Sequence, residues 1–224
     1  MEEIIVNAEG TSGDIKYPKS LRFPAKLISY LFHPLFIPTY IFLWLSWRFS
    51  FEFGGITEQA MFFRKVSVFW MTAFFPAFSV FLLWRLKFID SIFLKSSKER
   101  IAPYVITMIF YWWMWYLSRS FTDQPIVLKF FYLGIFIATI FGLTINNFMK
   151  ISMHGMGVGG ALACVLLICF SYHTIIPLDI AVATLVTGLV CTSRLLLGDH
   201  ETVEIYYGLF IGVLSQLIAF TIVM

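Results

Sequence analysis

Seven apolar runs, each near the length that a helix needs to cross a bilayer, constrain this chain more than any other feature. They lie at about 27–47, 66–86, 101–117, 126–145, 155–172, 177–192 and 205–224. The runs are continuous and do not alternate polar with apolar, so they predict helices and exclude a β-barrel. Only 13 % of the 224 residues are charged and 59 % are hydrophobic, which a water-soluble domain of this size would not tolerate. A mean hydropathy of +0.84 agrees. The expected fold is therefore all-α, a polytopic transmembrane bundle of about seven spans.

The punctuation between the runs divides the chain into two regions. Residues 1–25 are polar, with Gly10, Gly13, Pro18 and Pro24, and read as an N-terminal tail without a signal-peptide core. Residues 26–224 form the membrane domain. Pro34 and Pro38 should bend the first span, because each removes a backbone donor. The segment 85–100 places Phe88, Ile89, Ile92, Phe93 and Leu94 among charged residues and suits an amphipathic stretch on the membrane surface. Cys164, Cys169 and Cys191 all lie in apolar runs and read as small core residues, not as a disulfide framework or metal site.

Seven spans carry a parity consequence. The segments 85–100, 146–154 and 193–204 are two spans apart, so they face the same side of the membrane. Eleven of the sixteen Lys and Arg residues fall on that side, together with the tail. The positive-inside rule then puts this face in the cytoplasm; the expected location is the inner (plasma) membrane of a bacterium. A net charge of +3 is accounted for by such loops and requires no nucleic acid.

These three segments hold most of the residues capable of chemistry. In the last, Arg194 offers a fork of donors suited to phosphate oxygens. His200 follows beyond Gly198, and Glu204 comes four residues later, at a helical spacing that lets a carboxylate hold the imidazole. A histidine oriented in this way can act as nucleophile or base. The competing reading is a capped, charged loop at a helix boundary. Ser152 is expected to cap the fifth helix, leaving N–H groups where an anion is favoured, and His154 sits in its first turn, placed to protonate a leaving oxygen. Lys95, Lys98 and Arg100 add positive charge, which could equally be juxtamembrane attraction to anionic lipid. His33 reads as an interfacial or buried polar residue. His173 and Asp179 fall on the opposite side, and Asp179 reads as a helix cap.

With these residues in place, the chain resembles the type 2 phosphatidic acid phosphatase superfamily of integral-membrane lipid phosphatases. That family's third motif is Ser-Arg, five residues, His, three residues, Asp. Ser193-Arg194, five residues, His200, three residues and Glu204 match every spacing, with Glu in place of Asp. The second motif, Pro-Ser-Gly-His, stands here as Ile151-Ser152-Met153-His154. The first motif, Lys, six residues, Arg-Pro, is degenerate: Ile101 follows Arg100, the proline comes at Pro103, and Phe93 stands where the lysine is expected. Lys95 or Lys98 would take the lysine's part.

The resemblance implies a six-helix phosphatase-like core, plus one span, and a metal-independent hydrolase with no cofactor. It implies that His200 attacks phosphorus and becomes phosphorylated, that Glu204 orients it, and that His154 gives a proton to the departing lipid oxygen. Arg194, Arg100, Lys95, Lys98 and the backbone near Ser152 would cradle the phosphate. The implied substrate is a phosphomonoester or diphosphate on a lipid or polyprenyl carrier, and the surrounding partners are membrane lipids. The alternative is a non-catalytic relative that binds a lipid phosphate or a membrane partner.

Overall fold

A computed structural model describes residues 19–89 and 97–224. Among these residues the fold is all-helical, without a strand. α1 (Lys19–Leu31) starts inside the stretch expected to be tail, so residues 19–25 are helical. The tail's first 18 residues and the middle of the expected amphipathic segment, including Lys95, lie outside the described residues.

The first apolar run is not one bent span. The helix ends at Leu31, and α2 (Ile37–Arg48) begins only after the His33-Pro34 corner. Proline disfavours helical geometry at the residue before it and removes a backbone donor, so the chain turns instead of kinking. At 13 and 12 residues the two helices reach about 20 and 18 Å, short of a bilayer core.

α3 (Glu58–Phe69) opens on a Thr57 cap whose side chain accepts from Ala60 N at 3.2 Å. It runs through a π turn (Trp70–Phe74) into α4 (Phe75–Arg85). Pro76 lacks the N–H that an α-helix would use there, and the widened turn just before it accommodates that loss. α5 (Ser97–Ser120), α6 (Ile126–Asn146), α7 (Met153–Ser171), α8 (Pro177–Leu196) and α9 (Thr202–Val223) complete the bundle. Five helices are long and apolar enough to cross a membrane: Glu58–Arg85, α6, α7, α8 and α9. This is a membrane protein. The third expected span lies in α5, whose 24 residues give it the length, but whose tyrosines, tryptophans and charged ends dilute its apolar character. Length and composition thus support five spans where seven were expected.

α6 lies at the centre, with Val127, Leu128 and Phe130 fully buried. The closest helix contact is between α7 and α9, at a seam of small residues. A Cβ on Gly208 would lie 2.5 Å from the Ser152 carbonyl oxygen, and one on Gly212 would strike the Met156 carbonyl. Lipid supplies no hydrophobic drive between helices, so such backbone proximity is what holds this seam. It also sets the start of α7 beside the start of α9, where Ser152 N donates to Glu204 O at 3.2 Å. At the other end of the bundle Asp179 accepts from Trp44 Nε1 at 2.7 Å and lies 3.5 Å from Arg48 Nε, tying α8 to α2. Asp179 is in the first turn of α8 as expected, but it serves this tie between helices.

Candidate active site

α8 ends at Leu196, and Gly198 turns the chain in the left-handed region, at φ +70°. That turn delivers His200 to the mouth of the bundle, with its side chain 7 % exposed. Its Nδ1 lies 2.6 Å from Glu204 Oε2. The same oxygen accepts from Glu201 N at 3.3 Å, and the Glu201 side chain returns the favour to the Glu204 backbone, so α9 starts with a capping box. The two readings of this segment are therefore one structure: the cap fixes the carboxylate, and the carboxylate fixes the imidazole. An ionised carboxylate only accepts, so Nδ1 carries the hydrogen and the lone pair is on Nε2.

Burial pushes the His200 pKa down to about 3, helped by the positive charges of Lys150, Arg194 and Arg100 and opposed by Asp199. Lys150 Nζ sits 3.7 Å from Glu204 Oε2 and offsets the carboxylate that would otherwise favour imidazolium. Folded His200 stays neutral between pH 6.5 and about 3, whereas the unfolded chain takes up a proton in that window. This residue's contribution to stability is therefore lost as the pH falls below about 6.5. The expected ¹⁵N spectrum of selectively labelled protein at pH 5 has His200 as the neutral Nδ1–H tautomer. An imidazolium signal at that pH would contradict this electrostatic picture.

Arg194, in the last turn of α8, is held at two points. Nη1 donates to Ser29 Oγ at 2.6 Å, and Nη2 pairs with Asp199 at 2.7 Å. Its buried Nε has no hydrogen-bond partner. Of five guanidinium donors, these bonds leave Nε–H and others for an anion. Asp199 and Ser29 were absent from the sequence-derived site. Asp199 lies within the Arg-to-His spacing and could have been suspected as a counter-charge. Ser29 gives no local signal, because only the packing of α1 against α8 brings it here.

Ser152 caps α7 as expected, accepting from Gly155 N at 3.2 Å. It is fully buried, and both its hydroxyl and its N–H are engaged, so it positions the α7 start without facing a ligand. His154 follows in the first turn. Its Nε2 lies 3.1 Å from Ser29 O and 3.4 Å from Ser29 Oγ. The carbonyl can only accept, so Nε2 carries hydrogen and Nδ1 is left for other work. His33, at the corner between α1 and α2, lies edge-on to His154 with ring centroids 5.3 Å apart. It belongs to the site's surroundings more than its sequence context suggested.

Arg100, in the first turn of α5, is buried at 7 % exposure and within electrostatic reach of His200 and Arg194. The start of α5 thus brings this arginine to the other groups. Lys98 is exposed and joins no described contact with them. Lys150 is the basic group found in the site instead: besides Glu204, it donates to the Asp199 carbonyl oxygen. The three segments assigned to one face of the membrane therefore meet at one end of the bundle. Among the described residues no group of three His, Cys, Asp or Glu side chains could hold a metal ion. No family model, curated protein or solved structure matches the chain.

Proposed function

We propose that this protein is an integral-membrane lipid phosphate phosphatase that works through a phosphohistidine at His200. The observation that carries this reading is the 2.6 Å bond from His200 Nδ1 to Glu204, which leaves an unprotonated Nε2 among Arg194, Arg100 and Lys150. Nε2 attacks phosphorus and the bond to the lipid oxygen breaks. The arriving phosphate dianion draws a proton from water onto His154 Nδ1, and that proton passes to the departing lipid oxygen, while Nε2–H stays on the Ser29 carbonyl. Water then attacks phosphorus and gives a proton to His154 Nδ1, the phosphorus–nitrogen bond breaks, and His200 leaves with its lone pair restored. Arg194 and Arg100 offset the charge gathering on the phosphoryl oxygens, and Glu204 offsets the charge on the phosphorylated imidazole. In this reading α5 and the broken α1–α2 pair complete a seven-segment membrane domain, in the inner membrane of a bacterium, with the site facing the cytoplasm.

One observation favours a second reading. Ser29 occupies Arg194 Nη1 and His154 Nε2 together, so α1 lies across groups that a phosphate would use. A non-catalytic relative that holds a lipid phosphate would tolerate that arrangement. The test is inorganic phosphate release by purified protein in detergent, offered a panel of lipid phosphates. The phosphatase reading expects release that orthovanadate inhibits, since vanadate on a histidine copies the five-coordinate displacement. Tight lipid phosphate binding with no release would favour the second reading.

Glu204→Gln keeps the size of the side chain but allows its amide to donate towards Nδ1, selecting the wrong tautomer. The expected loss in kcat is about 10²- to 10⁴-fold with little change in KM. An unchanged kcat would remove Glu204 from the orienting role.

A further inference from the structure

Beneath His33 and His154 a cavity of about 340 Å³ runs between the helices, within the size range of small-molecule sites. Its walls come from α2, α4, α5, α6, α7 and α9 and are mainly apolar, and Gln216 marks its reach along α9. Gln216 is twelve residues beyond Glu204, about 18 Å along a helix. Tyr104 also lines this cavity. Its side chain is 3 % exposed, and its hydroxyl has no hydrogen-bond partner. It lies four residues after Arg100, about 6 Å further along α5, and within electrostatic reach of that guanidinium. The phenol is thus one helical turn inward of the charged site.

Resting on the phosphatase reading, we propose that the cavity receives the tail of the substrate and that Tyr104 selects an acyl-glycerol phosphate over a polyprenyl phosphate, by donating its hydroxyl hydrogen to an ester carbonyl close to the phosphate. A buried donor without a partner is unfavourable, and a ligand that supplies an acceptor relieves it. An acyl ester places a carbonyl oxygen a few bonds from the phosphate. A polyprenyl chain is hydrocarbon beyond its phosphate and leaves the phenol unpaired. Depth separates the two roles: Arg100 takes the phosphate, and Tyr104 meets the atoms next in line.

The experiment is lipid binding to full-length His200→Ala protein in detergent, measured by native mass spectrometry. The probes are a diacylglycerol phosphate, its diether analogue without carbonyls, and a polyprenyl phosphate. The diacyl lipid should bind about 3- to 10-fold more tightly than the diether. Adding Tyr104→Phe, which keeps the ring and removes the donor, should bring the two within about 2-fold. Equal binding of diacyl and diether lipids by the Tyr104 protein would overturn the proposal, as would a preference that survives Tyr104→Phe, or tightest binding of the polyprenyl phosphate. Should the added substitution disturb folding, the diacyl-to-diether ratio of the Tyr104 protein decides alone. Binding is read here without turnover, so a failure of catalysis in the wild-type protein remains a separate result.

Discussion

Replacing His200 with alanine should lower kcat for lipid phosphate hydrolysis by at least about 10⁴-fold while leaving substrate binding largely in place. His200 contributes one bond to Glu204, and that carboxylate keeps its Glu201 N–H and its Lys150 neighbour after the imidazole is gone. The capping box survives, so α9 should still start at Thr202. The charges of Arg194 and Arg100 come from other elements and remain. What disappears is the lone pair that forms the covalent bond. A variant that binds lipid phosphate and keeps its thermal midpoint, but releases no phosphate, is the expected outcome. Release close to wild type would require another nucleophile. None of the other named groups pairs an unprotonated, oriented nitrogen with this concentration of positive charge.

The second large effect is expected at the α7–α9 seam. Gly208→Ala would set a methyl carbon 2.5 Å from the Ser152 carbonyl oxygen, and Gly212→Ala would drive one into the Met156 carbonyl. Both obstacles are helix backbone, which cannot move aside as a flexible side chain would. The helices must separate, at a cost of about 1–3 kcal/mol or more for each substitution. Thermal unfolding in detergent should register both. Gly188→Ala is the control: its added carbon meets nothing within 4 Å, so helix propensity alone should leave stability unchanged or raise it by up to about 1 kcal/mol. Gly208→Ala carries a second consequence. Ser152 O belongs to the same residue whose N–H bonds Glu204 O, so separation there also displaces Glu204 from its place beside His200. Activity should therefore fall more for Gly208→Ala than for Gly212→Ala, which acts a turn deeper. Equal stability of all three variants would mean that the seam is looser than its geometry indicates.

How far this arrangement could be read in advance depends on the range of the interaction concerned. The helical membrane class followed from apolar runs alone, because a bilayer admits few structures that satisfy their own backbone. The His200–Glu204 pair was legible because both residues lie on one helical turn, where spacing dictates proximity. The convergence of 85–100, 146–154 and 193–204 was expected from a count of seven spans; Arg100, Lys150 and His200 do come together, although length and composition support five spans and not the runs at 27–47 and 101–117. Pro34 was recognised as a disturbance, yet only the packing of α1 on α8 decides between a bend and a corner. Ser29 and His33 were out of reach for the same reason: nothing near them in the chain announces Arg194 or His154. Lys150 lies in the connection between α6 and α7, and nothing beside it in the chain announces that its side chain reaches across to Asp199 and Glu204. Lys98 shows the converse, a cation with suitable sequence context that points to solvent.

The closure of α1 over the site gives the catalytic account a physical requirement. Ser29 must yield Arg194 Nη1, or share it, when a phosphoryl group arrives. Arg194 keeps Asp199 as its anchor meanwhile, so the guanidinium need not reorient to accept a new oxygen. His154 can keep its Nε2–H on the Ser29 carbonyl throughout, because the proton that moves is on the other nitrogen.

The most direct test is to trap the phosphoryl group in transit. Wild-type protein mixed with a lipid phosphate, quenched in alkaline denaturant within milliseconds and digested, should yield a 193–204 peptide heavier by one phosphoryl group, acid-labile, with the modification on His200. The same peptide from His200→Ala protein should be unmodified. Phosphate release by wild-type protein with no phosphorylated His200 at any quench time, or a phosphoryl group found on another residue, would contradict the account.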